Sequence, residues 1–355
     1  MKFNRDLWFQ ELNLKLKVLN KDEDHIYYLI VTGPLKIQVV LPKNSSYKNA
    51  INSFFNAQSA KELSPTIPTI YCLDESYINK LPPFRLSKND LNLIDFESRL
   101  SSQTKIINYD EKRKLLKALN TSDQNYLFLC ESFDSLPSWE VYSPLKEFIH
   151  FIALKNNCWL SHAGSLCKNN KAVLLFGPGG NGKSTTTLTG LNADLQTVGD
   201  DYVLIENFNE KFYAHAIYKT IKTYPSELFD LHKSFEKFER QLIERTGKYV
   251  YICEEDKESN IFTHSAEIVM NMGLHLNKNL TSNECDNLNF DARYMSLSSI
   301  EQIPFWVDKS SKFSEKIYRS LPNYFSNFKE GEASLDKNIE YILNFISSQG
   351  YQNDL

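Results

Sequence analysis

Residues 177–184 have the types and the spacing of a phosphate-binding loop. The fixed positions of the pattern GxxxxGK[ST] are filled by Gly177, Gly182, Lys183 and Ser184. The other predicted nucleotide-binding residues of this segment are Gly179, Gly180, Asn181 and Thr185. Glycines let backbone N–H groups turn inward around phosphate oxygens, the lysine can reach the β and γ phosphates, and the serine hydroxyl can bind Mg²⁺. The alternative is a glycine-rich turn that binds nothing.

The elements around this loop also fit. The apolar run Lys171–Phe176 predicts a buried strand that leads directly into the loop. A threonine-rich segment after Ser184 predicts a helix, whose N-terminus would add partial positive charge beside bound phosphates. The sequence therefore predicts a strand, a phosphate loop and a helix in succession.

Two consecutive carboxylates, Asp200 and Asp201, follow this helix. A helix ending near Gly190 carries the chain about 12 Å from the phosphates at 1.5 Å per residue. The eight residues 192–199 can span roughly 27 Å when extended. The acidic pair can therefore return to the phosphates, where it would hold Mg²⁺ or accept a proton from an attacking hydroxyl. The alternative is a solvated turn before a strand.

A histidine precedes the loop. The segment 159–166 predicts a single strand that forms a hairpin with the strand leading into the loop. An Asn-Asn turn between them would pair Leu166 with Val173 and, further along, His162 with Gly177. The imidazole could then bind phosphate or orient an aspartate. A buried histidine bonded to a backbone carbonyl is the alternative, and a slip of one residue would reverse its face.

Cationic residues further along the chain could neutralise phosphate charge. The candidates for contact with substrate or phosphate are Lys219 and Lys222, on a predicted strand after the acidic pair. Arg240, Arg245 and Arg293 are further candidates for stabilising the transition state.

The combination of His162-Ala163-Gly164, the loop 177–184 and Gly199-Asp200-Asp201 resembles the kinase domain of the HPr kinase/phosphorylase family. That family shares its nucleotide-site arrangement with ATP-dependent phosphoenolpyruvate carboxykinase. The resemblance is strongest over residues 162–206, and it implies transfer of the γ-phosphoryl group of ATP to a serine-type hydroxyl of a peptide, protein or small metabolite. It implies the catalytic residues Lys183, His162, Asp200 and Asp201.

The resemblance also implies which groups hold the cofactors. Lys183 would contact the phosphates of ATP, and Ser184 and Asp201 would hold Mg²⁺. Either aspartate could act as the base, and a homo-oligomer would be expected. A nucleotide-dependent ATPase or switch protein without a phosphoacceptor is the alternative function, and a lyase of the carboxykinase type is a third.

The expected fold is α/β. It combines an HPr kinase-like ATP-binding domain with a mixed sheet at residues 141–355 and a β-rich α+β domain for substrate recognition at residues 1–140. In the N-terminal domain the patterns predict a strand at 14–18, a hairpin of 25–31 with 35–41, and a helix at 47–61. Ser143 is expected to cap a helix that ends near residue 155.

Composition limits the functional classes. The chain has 355 residues, 42% of them hydrophobic, which excludes a disordered tail, a collagen repeat or a small disulfide scaffold. Its net charge of −4 gives no overall basic field for nucleic acid or anionic lipid. We find no signal-peptide core and no run of about 18 apolar residues, so a cytoplasmic protein without membrane partners is expected. The six cysteines lack CxxC spacing, which predicts reduced, buried thiols.

Overall fold

The computed structural model describes most of the chain. The described residues are 5–19, 24–55, 57–82, 105–110, 112–120, 124–224, 238–244, 247–253, 261–276, 316–328 and 332–350. The fold is mixed α/β, and it divides into two compact units. Unit 1 comprises Met1–Val31 and Leu35–Ile152, and unit 2 comprises Thr32–Pro34 and Ala153–Leu355. The sequence-based boundary was set at 140/141, and the units divide at 152/153.

Unit 1 is built on a seven-stranded mixed sheet. Its strands are β1 (His25–Thr32), β2 (Leu35–Pro42), β3 (Ala57–Ala60), β4 (Thr69–Asp74), β5 (Lys105–Asp110), β6 (Leu115–Asn120) and β7 (Asn125–Cys130). Their order across the sheet is β3-β1-β2-β4-β7-β6-β5. β4 is parallel to both β2 and β7, and the β5–β6 and β6–β7 pairs are antiparallel. The predicted hairpin of β1 with β2 is confirmed.

The strand predicted at 14–18 is wrong, because this segment belongs to helix α1 (Arg5–Leu19). The alternation of Leu14, Leu16 and Val18 suggested a half-buried strand, but Leu14 is 65% and Val18 68% exposed. The longer helical pattern decides the structure. Its buried apolar side chains all join one core cluster, and they are Trp8, Phe9, Leu12, Leu16 and Leu19.

Two helices of unit 1 differ in length from their predictions. Helix α2 (Tyr47–Phe54) ends earlier than the expected 47–61, because the chain continues into β3. After helix α3 (Ser138–Val141), helix α4 (Lys146–Leu154) begins later than a cap at Ser143 would require.

A buried carboxylate explains the late start of α4. Leu145 has a left-handed backbone (φ 59°), and its N–H donates to Glu140 Oε1 at 3.1 Å. Lys117 compensates the charge of this carboxylate, since its Nζ lies 2.7 Å from Glu140 Oε2 and 3.1 Å from Glu147 Oε2. All three charged side chains are buried. This ionic contact was not predicted, because it joins residues that are distant in sequence.

Unit 2 contains a second mixed sheet and a smaller antiparallel one. The large sheet contains β8 (Cys158–Ser161), β9 (Gly164–Lys168), β10 (Lys171–Phe176), β11 (Val203–Phe208), β12 (Lys211–His215), β16 (Ser265–Leu276) and β17 (Asn323–Phe328). Its order is β8-β11-β12-β16-β10-β9, and β17 also pairs with β16. The small sheet, in the order β13-β15-β14, contains β13 (Thr220–Thr223), β14 (Glu239–Ile243) and β15 (Lys248–Ile252).

Two helices pack against these sheets. Helix α5 (Lys183–Asn192) follows β10, and helix α6 (Glu332–Gly350) lies near the C-terminus. Val173 and Leu175 of β10 share a core cluster with Ile342 of α6. Leu188 of α5 shares another with Ile221 of the small sheet. Gly190 of α5 lies against Leu166 of β9, so helix α5 contacts both the large sheet and the small one.

The single strand predicted at 159–166 is wrong, because the chain breaks into β8 and β9 at opposite ends of the sheet order. The predicted register with β10 is confirmed where it exists: Leu166 pairs with Val173. It stops at Gly164, however, and does not reach His162. Five strand spacings of a flat sheet would separate the two ends by about 24 Å. Since only His162 and Ala163 link them, the gap is at most about 11 Å, and the sheet curls back on itself.

Within the described residues, no helix is long and apolar enough to cross a membrane. The five cysteines in this part of the chain are all buried, as predicted, and none forms a disulfide with another of the five. Cys285, Arg245 and Arg293 lie outside the described residues.

Candidate functional site

The loop between β10 and α5 is shaped by its glycines. Gly177 has a φ of 148°, and a Cβ there would lie 2.3 Å from the carbonyl oxygen of Leu274, so a side chain is excluded. Gly182 precedes α5 with a φ of 86°, a left-handed conformation that favours glycine. Asn181 Nδ2 donates to the Leu274 carbonyl at 3.4 Å, which fixes the middle of the loop on β16. The predicted strand, loop and helix are therefore present.

The tip of the loop faces open space. Apart from chain neighbours, a Cβ added at Gly179 or Gly180 would meet no heavy atom within 4 Å among the described residues. Gly180 has a φ of 82°, which alone favours glycine, but the positive-φ residues do not include Gly179. Neither local packing nor backbone strain accounts for Gly179.

Lys183, the first residue of α5, folds back onto the loop. Its Nζ donates to the carbonyl oxygens of Gly177 at 2.7 Å and Pro178 at 3.2 Å. Burial lowers the pKa of Lys183, whereas the charges of Asp201 and Asp200 oppose that change. The ammonium group therefore lies under the loop within the field of the acidic pair. The next residues of α5, Ser184 and Thr185, are half-buried.

Side chains of β9 and of the segment that follows α5 hold the acidic turn in place. Ser165 Oγ accepts a hydrogen bond from Val198 N at 3.0 Å, and Thr197 Oγ1 accepts one from Gly199 N at 3.0 Å. A Cβ at Gly164 would lie 3.2 Å from the carbonyl oxygen of Asp200, so the turn packs closely against β9. The aspartates thus sit on a rigid support next to α5.

Asp200 is buried, and its two carboxylate oxygens have different surroundings. Its Oδ2 accepts a hydrogen bond from Lys222 N at 2.9 Å. Its Oδ1 is buried and has no partner at hydrogen-bonding distance among the described residues. Burial raises the pKa of Asp200 to about 6, although Lys222 N–H and the nearby Ser184 hydroxyl act in the opposite direction. A buried polar atom without a partner is costly, which points to an absent ligand or a chemical role.

Asp201 sits between two cationic or potentially cationic groups. Its Oδ2 lies 2.7 Å from Lys222 Nζ, and its Oδ1 lies 3.5 Å from His162 Nε2. Burial alone would raise the pKa of Asp201, but Lys222 and His162 hold it well below its usual range. Asp201 is therefore ionised at every physiological pH.

His162 lies in the two-residue link between β8 and β9. Burial lowers its pKa, as do the charges of Lys183 and Lys222, and Asp201 opposes the change. Its ring also packs against Tyr202, with ring centroids 5.8 Å apart. His162 thus contacts the acidic pair, as one reading of the sequence expected, although it does so from a link and not from a paired strand.

The other predicted cations are placed differently. Lys222 reaches both aspartates. The backbone carbonyl of Lys219 accepts a hydrogen bond from Cys253 N at 2.9 Å. Arg240 stacks on the ring of Tyr249, 5.3 Å from its centroid.

Sequence reasoning missed Lys248. Its charge lowers the pKa of both Lys183 and Asp200, so it belongs to the same electrostatic site. Lys248 lies on β15, and the pairing of β15 with β13 places it near Lys222. No local motif marks it. The sequence alone does not show whether a lysine in a short strand points toward the site or toward solvent.

The oxygen atoms of the site suit a hard cation. No group of three or more metal-binding His, Cys, Asp or Glu side chains occurs in the described part of the chain. Mg²⁺ does not require one, because it usually binds one or two carboxylates together with phosphate oxygens and water. A hydroxyl on Ser184 and an ionised carboxylate on Asp201, which already accommodates the ammonium of Lys222, fit that donor set.

Similarity to known proteins is low. No protein-family model and no curated protein matches the chain. Among solved structures, it is similar to the Hpr(Ser) kinase/phosphatase from Coxiella burnetii, with 17% sequence identity and a TM-score of 0.31. The match covers 56% of this chain and 95% of that one. Values this low assign neither a fold nor an activity, so the resemblance drawn from the motifs stays a prediction.

Proposed function

We propose that this protein is an ATP-dependent kinase, which transfers the γ-phosphoryl group to a serine-type hydroxyl of a peptide, protein or small metabolite. One observation carries the proposal: beside a glycine loop and its lysine lies a buried aspartate with an oxygen that accepts no hydrogen bond from the described part of the chain. Asp200 provides that oxygen, and Lys183 provides a cation within its field. Phosphoryl transfer needs little more from a protein than positioning and charge stabilisation.

The loop residues would bind the phosphates. Gly179 and Gly180 stand in open space, so backbone amides there can approach phosphate oxygens closely. Lys183 would exchange its two carbonyl partners for the β and γ phosphates. Ser184 and Asp201 would hold Mg²⁺, which would reduce the negative charge of the phosphates.

The acceptor would lose its proton to Asp200. Oδ1 of this residue has no hydrogen-bond partner among the residues that the structure describes, and the pKa of Asp200, about 6, lies closer to neutrality than that of Asp201. A base is most effective when its pKa lies near the working pH. In the reaction the acceptor O–H bond breaks, its proton passes to Oδ1, the acceptor oxygen bonds to the γ phosphorus, and ADP leaves.

Labelled ATP tests this proposal directly. The protein is incubated with Mg²⁺, ATP labelled at the γ phosphate and candidate acceptors, and label on an acceptor supports the kinase. The Lys183→Ala variant should lose transfer and keep its fold. Lys211→Ala is a matched control, because this lysine is 57% exposed and pairs with Glu267 away from the loop. Undiminished transfer by Lys183→Ala would exclude the loop as the phosphate site.

A nucleotide-dependent switch is the second candidate, and one observation favours it. Lys222 contacts Asp200 through its backbone and Asp201 through its side chain, so the small sheet is attached to the acidic pair at two points. Nucleotide binding at the pair could therefore shift that sheet and alter a partner surface. In the labelling experiment, release of free phosphate with no labelled acceptor supports the switch.

A further inference from the structure

The small sheet has one face with two lysines. In the antiparallel pairing of β13 with β15, Lys222 lies opposite Val250. Residues two apart on a strand point to the same side, so Lys248 shares the face of Val250 and Lys222. Its contact with Tyr224 agrees with this placement, since Lys248 Nζ lies 5.2 Å from the centroid of that ring.

This face is directed at the acidic pair. The side chain of Lys222 pairs with Asp201 from this face, whereas its bond to Asp200 comes from the backbone N–H at the edge of β13. Diagonal neighbours on adjacent strands have their Cα atoms about 7–8 Å apart. A lysine side chain can cover that distance. The influence of Lys248 on the pKa of Asp200 and of Lys183 is consistent with this proximity.

The ammonium groups of the two lysines have different partners, and that of Lys248 lies over the ring of Tyr224. Lys222 is committed to Asp201 by its ion pair. Lys248 lies on the neighbouring strand, and its charge lowers the pKa of both Asp200 and Lys183, the two groups that flank the space between them. In the proposed function that space contains the end of the triphosphate.

We propose that Lys248 binds the γ-phosphoryl group of ATP, as a second cation opposite Lys183. This inference rests on the proposed function and adds a binding residue from the small sheet. Lys183 would contact β and γ oxygens from the loop side, and Lys248 would contact γ oxygens alone. Lys248 then distinguishes ATP from ADP, because ADP lacks the group that it binds.

Paired nucleotide affinities test this role without an acceptor. Isothermal titration measures the Kd for Mg²⁺ with AMP-PNP, a non-hydrolysable ATP analogue, and the Kd for Mg²⁺ with ADP. For Lys248→Met we expect AMP-PNP to bind about 10–100-fold more weakly, the usual effect of losing a charged hydrogen bond. ADP affinity should change less than about threefold. Lys248→Arg keeps the charge and should retain most of the AMP-PNP affinity.

Lys211 supplies the control. It lies on β12 of the large sheet, its side chain is 57% exposed, and it pairs with Glu267. Lys211→Met should leave both affinities unchanged. Lys248→Gln is the second variant if Lys248→Met does not fold, as judged by circular dichroism.

The outcomes separate the two proposals. Equal weakening of AMP-PNP and ADP, or no weakening of either, overturns the role of Lys248 while wild-type binding still supports the nucleotide site. Failure of the wild-type protein to bind either nucleotide overturns the nucleotide site itself, and the role of Lys248 with it.

Discussion

The ammonium of Lys222 lies 2.7 Å from Oδ2 of Asp201. This ion pair, together with the bond from the Lys222 backbone to Asp200, makes the two adjacent aspartates chemically unlike. One carboxylate is kept ionised by cations, and the other is buried with a raised pKa. Groups with opposite environments at one site are typical of a division between metal binding and proton transfer.

Replacement of each aspartate by asparagine should separate these roles. Asp200→Asn should lower turnover by about 10²–10⁴-fold, the usual contribution of a general base, and change the affinity for Mg²⁺-ATP little. Asp201→Asn should lower both, because it removes a metal ligand. Transfer of label from ATP and titration with ATP measure the two quantities. Equal losses of affinity in both variants would contradict the assignment.

Turnover should fall in acid as Asp200 becomes protonated. Its pKa of about 6 predicts a rate that is nearly constant above pH 7 and falls about tenfold per pH unit well below pH 6. The pKa of Asp201 lies well below its usual range, so ATP affinity should persist over this interval. Initial rates and ATP affinities measured from pH 5 to pH 8 check this. A rate that is flat through pH 6 would remove Asp200 as the base.

The same burial predicts a cost in stability. Because the folded pKa of Asp200 exceeds its unfolded value, the favourable contribution of the protonated form is complete below about pH 4 and is lost as the pH rises through 6. Asp200→Asn should therefore stabilise the protein at pH 7, by on the order of 1–3 kcal/mol for a shift of about two units. The gain should vanish near pH 4. Thermal unfolding of both proteins at the two pH values measures it, and destabilisation at pH 7 would contradict the prediction.

Two glycines of the loop should respond differently to alanine. At Gly177 a Cβ would lie 2.3 Å from the Leu274 carbonyl oxygen, so Gly177→Ala should shift the loop and lower the unfolding temperature. At Gly179 there is open space, so Gly179→Ala should keep the wild-type unfolding temperature. If phosphates occupy that space, Gly179→Ala should nevertheless weaken ATP binding. Unchanged ATP affinity in this variant would count against phosphate at the tip of the loop.

Local patterns predicted local structure well. The run before Gly177 formed a strand, the residues after Gly182 formed a helix, and the pairing of Leu166 with Val173 followed from a short turn. These features depend on neighbours in sequence, where propensity and turn chemistry dominate.

Long-range placement was not predictable in the same way. The chain between β8 and β9 was read as one strand, because nothing local indicates that its halves pair with different partners. Lys248 was missed because its approach to the acidic pair depends on strand register in the small sheet. Leu14 and Val18 suggest a strand because their short alternation has the period of a strand, whereas the longer helical period of α1 decides the structure.

The two residues between β8 and β9 are a short covalent link between the end strands of the large sheet. They join β8 and β9, the two end strands of the curled sheet, whose ladders run to β11 and β10 and not to each other. His162 is one of these two linking residues. An inserted residue or a proteolytic cleavage there would allow β8 and β9 to separate. His162 would then move away from Asp201, although every strand kept its pairing partner. The same two-residue link therefore closes the curled sheet and positions a histidine of the candidate site.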